Sequence, residues 1–317
     1  MSRVLRFLKT WRLPVAMLAG AAAYFIYAAI PTPASLDAKV NGAISFIQPV
    51  LIFTMLFLTY CKIDFRDLRP GKWTLWLLLI QAGSFALMGL ALVLLPDFPA
   101  RVLVEGAMIA MICPTATAAA VVTSKLGGNM THIVTYTILI NLTVSLMVPA
   151  IVPLMNPGSS VSFISAFLTI LSKVFPLLIL PLAAAWAVKK FLPRLHKGIL
   201  KYPDAAFYIW LVALALAIAV TVRSIVHSTV SVWYQAGLAL ISLAACGIQF
   251  GLGKKIGGRY GDRTTAGQAL GQKNTVLAIW MGYTFFTPVT SIVGGFYSVW
   301  HNVVNAWQLY RHEKANS

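Results

Sequence analysis

Residues 264–286 read TTAGQALGQKNTVLAIWMGYTFF, and this stretch decides the fold. The second half of this stretch is apolar enough to lie in a bilayer. Gln268 and the polar run 272–275 interrupt the stretch as a whole. A charge at the bilayer centre, such as that of Lys273, costs about 2.5–3.5 kcal/mol on insertion scales and usually faces a cavity or a ligand. The stretch therefore predicts a broken membrane helix with a functional polar site at its centre.

The composition of the whole chain agrees with a membrane location. Of its 317 residues, 59% are hydrophobic and only 10% are charged, and the mean hydropathy is +0.80. A typical soluble domain is about one quarter charged. A soluble enzyme, a disordered chain and a fibrous protein are excluded, and a helical protein built into a bilayer remains.

Crossing the hydrocarbon layer takes about 20 mostly apolar residues in a helix. Ten stretches of this kind are present, at 13–31, 42–61, 73–95, 101–126, 130–154, 162–191, 205–226, 232–253, 264–286 and 288–310. They predict an all-α membrane protein with ten transmembrane helices. The first stretch follows a basic segment, and we interpret it as a retained span rather than a cleaved signal peptide.

The basic residues predict the orientation. With the N-terminus in the cytoplasm, twenty of the 25 Lys and Arg lie inside, three outside and two within spans. Because cytoplasmic loops of membrane proteins are enriched in Lys and Arg, both termini are predicted to be cytoplasmic. The net charge of +17 thus reflects orientation in an inner or plasma membrane, and no nucleic-acid partner is expected.

Five spans precede residue 156 and five follow it, which suggests two repeats, 1–155 and 156–317. An odd number of spans in each repeat inverts the second relative to the first. In transporters with inverted repeats, the substrate lies near the midplane where discontinuous helices meet. A broken helix is therefore expected at the same place in both halves.

The fourth stretch supplies the second break, at MIAMICPTATAAA (residues 108–120). Pro114 lacks a backbone donor and clashes with the preceding turn, so the helix kinks or opens there. The hydroxyls of Thr115 and Thr117 could satisfy the freed carbonyls. Pro114 and Gln272 are 158 residues apart, half the length of the chain, which favours a repeat.

With both breaks placed, the chain resembles the bile acid:sodium symporter superfamily over nearly its whole length. The matching motifs are Cys113-Pro114-x-x-Thr117-Ala118, Gly128-Asn129 before the fifth span, and Gly271-x-x-Asn274. The resemblance implies interleaved panel and core subdomains in one membrane domain, with the fourth and ninth spans crossing at unwound centres. It also implies transport of organic anions, such as sterol conjugates or small carboxylates, usually driven by sodium.

The sequence departs from this family at the positions that would bind sodium. Where the family has a Ser-Asn pair, the chain has Ala119 and Ala120, and where it has Glu and Gln, the chain has Ala269 and Lys273. Thr137 is the candidate for a retained fifth-span threonine ligand. Ser84 is the expected counterpart of a glutamine that the third span of family members often carries.

Elementary electrostatics also argues against a sodium site. No Asp or Glu lies in a predicted membrane interior, because Glu105 falls near the outer end of its span. The Lys273 ammonium would repel sodium directly. We therefore expect Lys273 to replace the coupling ion and to attract an anionic substrate, assisted by the positive N-terminal ends of the half-helices. Uniport, exchange and proton coupling through Lys273 remain open, as does a purely structural role for this lysine.

The sequence thus predicts a secondary transporter that moves an organic anion by alternating access, and not an enzyme. Its expected partners are the anion and the bilayer, without a cofactor, a metal or an obligatory protein partner. The alternatives are a sodium-coupled symporter with unusual ligands, a channel, and a membrane-embedded lipid-modifying enzyme. The predicted substrate or coupling site comprises Lys273, Gln272, Asn274, Thr275, Gln268, Pro114, Thr115, Thr117 and Thr137.

Overall fold

The computed structural model describes residues 12–31, 33–116, 118–155, 162–202 and 205–316. Within these ranges the chain forms thirteen α-helices and no strand, so the all-α prediction is confirmed. They are α1 (Arg12–Ala29), α2 (Ala34–Tyr60), α3 (Thr74–Leu94), α4 (Arg101–Ile112), α5 (Ala119–Lys125), α6 (Met130–Ile151), α7 (Phe163–Phe191), α8 (Pro193–Leu200), α9 (Ala205–Val226), α10 (Val232–Gly258), α11 (Arg263–Gly271), α12 (Thr275–Phe285) and α13 (Ser291–Asn316). Helices satisfy their own backbone hydrogen bonds, which a bilayer requires.

Six segments of the described chain are helical, long and apolar enough to cross a membrane. They are Ser35–Tyr60, Thr74–Leu94, Met130–Met155, Phe163–Phe191, Tyr208–Val226 and Val232–Gly258. The apolar helices Pro14–Ala29 and Thr275–Phe285 are shorter. The protein is therefore membrane-embedded, whereas the count of ten spans stays a prediction, because two predicted stretches are interrupted and the first and last fall short of these criteria.

The second helix begins earlier than its hydropathy predicted. The apolar stretch starts at residue 42, but α2 starts at Ala34. The polar residues of its first turns have partners: Asp37 accepts hydrogen bonds from the Tyr27 hydroxyl and from Arg223 Nη2, both at 3.0 Å. A helix that satisfies its polar side chains in this way continues beyond its apolar part.

The chain divides into two compact units, each drawn from both halves of the sequence. The first comprises residues 1–62 and 181–229, and the second comprises 63–180 and 230–317. In the first unit, α9 packs against α1 and α2. Gly20 on α1 touches the backbone of Ala215 so closely that no side chain would fit between them.

The second unit contains both interruptions. Its most extensive helix contact joins α10 to α11, where Gly253 lies against the backbone of Ala266. The start of α11 is held by Asp262, whose Oδ2 contacts Trp73 Nε1 at 2.8 Å and His132 Nδ1 at 2.7 Å. These contacts to the beginnings of α3 and α6 fix the position of the broken segment that follows α11.

Candidate functional site

The first interruption lies between α4 and α5. α4 ends at Ile112, residues 113–116 are not helical, and α5 begins at Ala119. The last four carbonyls of a helix have no donor within it. In α4 these belong to residues 110–113, which are buried or nearly so, and they need donors from elsewhere in the protein.

Gln81 supplies two of those donors. Its Nε2 on α3 donates to the carbonyls of Ile112 at 3.0 Å and Cys113 at 2.8 Å. The amide is itself oriented by Tyr136 on α6, whose hydroxyl donates to Gln81 Oε1 at 2.9 Å. Both side chains are fully buried. This glutamine–tyrosine pair therefore satisfies the last two carbonyls at the open end of α4.

A second glutamine–tyrosine pair connects the two interruptions. Gln249 Nε2 on α10 donates to the carbonyl of Ala110 at 3.1 Å and to the hydroxyl of Tyr297 at 3.1 Å. Tyr297 on α13 donates in turn to the carbonyl of Gly271, at the end of α11, at 2.9 Å. This pair therefore satisfies one carbonyl of each broken helix.

The two interruptions lie side by side and pair through their backbones. Thr115 and Lys273 form an isolated antiparallel β-bridge. Two backbone hydrogen bonds flank it, from Asn274 to Pro114 (2.8 Å) and from Ala116 to Gln272 (2.9 Å). Two unwound segments in an apolar surrounding thus satisfy each other, as buried irregular backbone must.

Side chains reinforce the pairing. The Thr115 hydroxyl donates to the carbonyl of Ala269 at 2.6 Å, and the Cys113 thiol donates to that of Asn274 at 3.0 Å. The Asn274 side chain caps α12 by accepting the N–H of Leu277 at 3.2 Å. Because Asn274 already accepts one N–H at the start of α12, this helix end has fewer free N–H groups for binding an anion than the sequence suggested.

Lys273 is the charged group of the site. Its side chain is 1% exposed, and Nζ lies 3.4 Å from the carbonyl oxygen of Met111. An ammonium has three donors, and the described part of the chain gives this one a single acceptor. The negative ends of α4 and α11 meet here, which favours a cation. The nearest carboxylate along the chain from either interruption is Glu105, eight residues before Cys113.

Several buried polar atoms around the pairing have no hydrogen-bond partner in the described residues. They include Gln272 Oε1, Thr275 Oγ1, Gln268 Oε1 and both ring nitrogens of His301. Gln268 Nε2 does have a partner, Asn305 Oδ1, at 3.0 Å. Packed cores pair nearly all such atoms, so this concentration is typical of a binding region.

The structure does not bring every predicted residue to this place. The Thr137 hydroxyl donates to the carbonyl of Ile133 in its own helix at 2.8 Å. Thr117 lies outside the described residues. Ser84 also donates within its own helix, to the carbonyl of Gln81 at 3.1 Å. The amide that α3 contributes is therefore Gln81, about one helical turn before the expected position.

Gln81, Tyr136 and Tyr297 are the functional candidates that sequence reasoning missed. Gln81 could have been found, because it is a single amide within the apolar run WLLLIQAG (residues 76–83). The two tyrosines could not, because a tyrosine in a membrane helix commonly lies at the interface instead. Only the three-dimensional contacts distinguish those that bind a glutamine.

The described geometry defines a helical membrane protein in which two broken helices pair around a buried amine. No protein-family model matches the chain, and a search of curated proteins finds no similar sequence. The functional conclusion therefore comes from the residues of the site.

Proposed function

We propose that this protein is a secondary transporter of an organic anion, with Lys273 taking the place of a coupling cation. The observation that carries the proposal is the buried Lys273 amine at the paired interruptions, with one hydrogen-bond acceptor among the described residues. An intramembrane charge with unused donors suits a ligand of opposite charge. The substrate class in this proposal is a carboxylate or a similar organic anion.

The proposal includes ten spans arranged as two inverted repeats, 1–155 and 156–317, with both termini cytoplasmic. The glutamine–tyrosine pairs support it, because each half supplies one glutamine before its broken helix and one tyrosine after it. Gln81 and Gln249 are 168 residues apart, and Tyr136 and Tyr297 are 161 apart. Thr115 and Lys273, which form the bridge, are 158 apart. A repeated fold keeps such offsets nearly constant.

The proposal also places the chain in the bile acid:sodium symporter superfamily as a sodium-independent member. Sodium sites are built from several oxygen ligands, and Lys273 would place a like charge among them. The ammonium itself bonds a backbone carbonyl and lies at the negative ends of two helices, which are the interactions that a bound cation would make. The ammonium of Lys273, which is covalently attached to the chain, therefore takes the place of a dissolved sodium ion.

Uptake into proteoliposomes tests this function. We expect saturable uptake of a labelled organic anion, with taurocholate and pyruvate as the first two probes, that responds to membrane voltage and is unchanged when sodium is replaced by choline. Lys273→Gln should reduce uptake at least tenfold. Lys173→Gln, which makes the same chemical change at an exposed position of α7, should leave it unchanged.

Two results would contradict the proposal. Uptake that requires a sodium gradient would restore the sodium-coupled alternative. Equal uptake by the parent and Lys273→Gln would leave Lys273 with a structural role only. Repeating the measurement with an imposed pH gradient separates proton coupling from uniport and exchange, since only the first is driven by that gradient.

A further inference from the structure

A separate cavity lies within the second unit, where α10 ends, α11 begins and α13 ends. Its volume is about 330 Å³, and the residues that matter for its chemistry are Lys254, Arg263, Trp307, Gln308 and Arg311. None of these residues belongs to the paired interruptions. The sequence analysis treated its basic residues only as markers of orientation.

The described lining of the cavity is positively charged. Lys254, Arg263 and Arg311 line it, and the described lining residues include no carboxylate. None of the three forms an ion pair with a carboxylate in the part of the chain that the structure describes. Like charges that converge without a counterion repel each other, so the arrangement is favoured when an anion binds between them.

Two of these cations, Lys254 and Arg311, contact an aromatic ring that helps to position them. The indole of Trp307 contacts two of them, with its centroid 5.8 Å from Lys254 Nζ and 5.2 Å from Arg311 Cζ. Both distances are in the range of cation–π contacts. The stem of Lys254 lies where a side chain at position 267 would be, so Gly267 allows it to run against α11. A lysine held on two sides keeps its ammonium at the cavity.

One further residue of the lining carries a donor without a partner among the described residues. Gln308 lines the cavity, and its Nε2 is buried without a hydrogen-bond partner among the described residues. Two guanidinium groups, one ammonium and one amide together offer many N–H donors to one small volume. Tetrahedral phosphate oxygens accept several such bonds at once, and arginine binds them in a bidentate manner.

We propose that this cavity is a binding site for a phosphate group, supplied either by the headgroup of an anionic lipid or by a free phosphate. Trp307 is 51% exposed, and Trp is enriched at membrane interfaces. Basic pockets between membrane helices bind the headgroups of anionic lipids by this chemistry. The proposal is independent of the transport function, because it uses none of the residues of the paired interruptions.

Thermal unfolding of the purified full-length protein tests the site with two phosphate sources. One series adds inorganic phosphate against potassium chloride of equal ionic strength. The other compares detergent micelles doped with phosphatidylglycerol with micelles doped with phosphatidylcholine. We expect at least one phosphate source to raise the Tm by about 2–4 °C, as a ligand that binds only the folded form does.

The variant Lys254→Gln/Arg311→Gln should lose this increase in Tm. The control Lys197→Gln/Lys201→Gln removes the same charge at exposed positions that do not line the cavity, and it should retain the increase. If the double variant fails to fold, Arg263→Gln, at an exposed position, should weaken the apparent affinity about tenfold.

The two series also identify the source. An increase with phosphatidylglycerol alone assigns the site to a lipid headgroup, and an increase with inorganic phosphate alone assigns it to free phosphate. An increase with both shows that the phosphate group itself is sufficient for binding. No increase with either source, or equal losses in the cavity variant and the control, would overturn the proposal.

Discussion

The amine of Lys273 lies 3.4 Å from the backbone carbonyl oxygen of Met111, so the charge of one broken helix is bound at the open end of the other. That end carries four carbonyls without helical donors. Gln81 and Gln249 satisfy the other three. A side chain from the second half of the chain therefore completes a helix end in the first half, which couples the two interruptions energetically.

Replacing Lys273 by Met should separate binding from stability. The substitution keeps a long apolar stem but removes a buried charge and one hydrogen bond. Removing an unpaired buried charge relieves its desolvation cost, which offsets the lost bond, so the Tm of the ligand-free protein should change by only a few degrees. The increase in Tm caused by an organic anion that the parent transports should vanish.

The matched control is Lys173→Met on the exposed surface of α7, which should keep the anion-induced increase. If Lys273→Met keeps that increase in full, the ammonium does not bind the substrate.

Gln81→Leu should destabilise the protein by about 3 kcal/mol or more. It leaves the carbonyls of Ile112 and Cys113 and the hydroxyl of Tyr136 without partners, and each buried unpaired group costs about 1–3 kcal/mol. Ser84→Ala on the same helix removes only a bond within that helix and should cost less than about 0.5 kcal/mol. Thermal or denaturant unfolding in micelles measures both, and similar losses for the two variants would refute the assigned role of Gln81.

Tyr297→Phe should cost more than Tyr136→Phe. The first removes a hydroxyl that both accepts from Gln249 and donates to Gly271, whereas the second removes one bond to Gln81. We expect a loss of about 2–3 kcal/mol for the first and about 1 kcal/mol for the second. Tyr283→Phe, at a tyrosine that is 41% exposed on α12, should be nearly neutral.

The double variant Tyr136→Phe/Tyr297→Phe adds a test of independence between the two pairs. Because each tyrosine hydroxyl forms its hydrogen bond with a different glutamine, the two losses of stability should add within about 0.5 kcal/mol. A large coupling energy would mean that the pairs act as one network.

Gly271→Ala should be destabilising because of the ring of Phe250. A Cβ at position 271 would overlap that ring, and overpacking of this kind costs about 1–3 kcal/mol. Combining Gly271→Ala with Phe250→Leu should recover part of the loss. At Gly247, on the same α10 as Phe250, a Cβ meets nothing within 4 Å, so Gly247→Ala should be neutral or stabilising. Unfolding curves in which the Gly247→Ala variant is less stable than the Gly271→Ala variant would contradict this account.

Much of the fold followed from local patterns. Apolar runs predicted six helices that the structure forms at span length, and Pro114 and the run 272–275 marked the two breaks. Helix ends were predicted less well where polar residues find partners far away in sequence. Asp37 lies inside α2 because Tyr27 and Arg223 bind it, and hydropathy contains no information about that contact.

The sequence by itself determined that this is a helical membrane protein and where its helices must break, because the cost of apolar surface in water and of charge in lipid depends on residue type. Tertiary structure decided which groups satisfy the broken ends. The pairing of Thr115 with Lys273, and the choice of Gln81, Gln249, Tyr136 and Tyr297 as donors, depend on which helix faces are adjacent. Hydrogen bonds act only over a few ångströms, so residues on different helices acquire these roles only once the helices have packed.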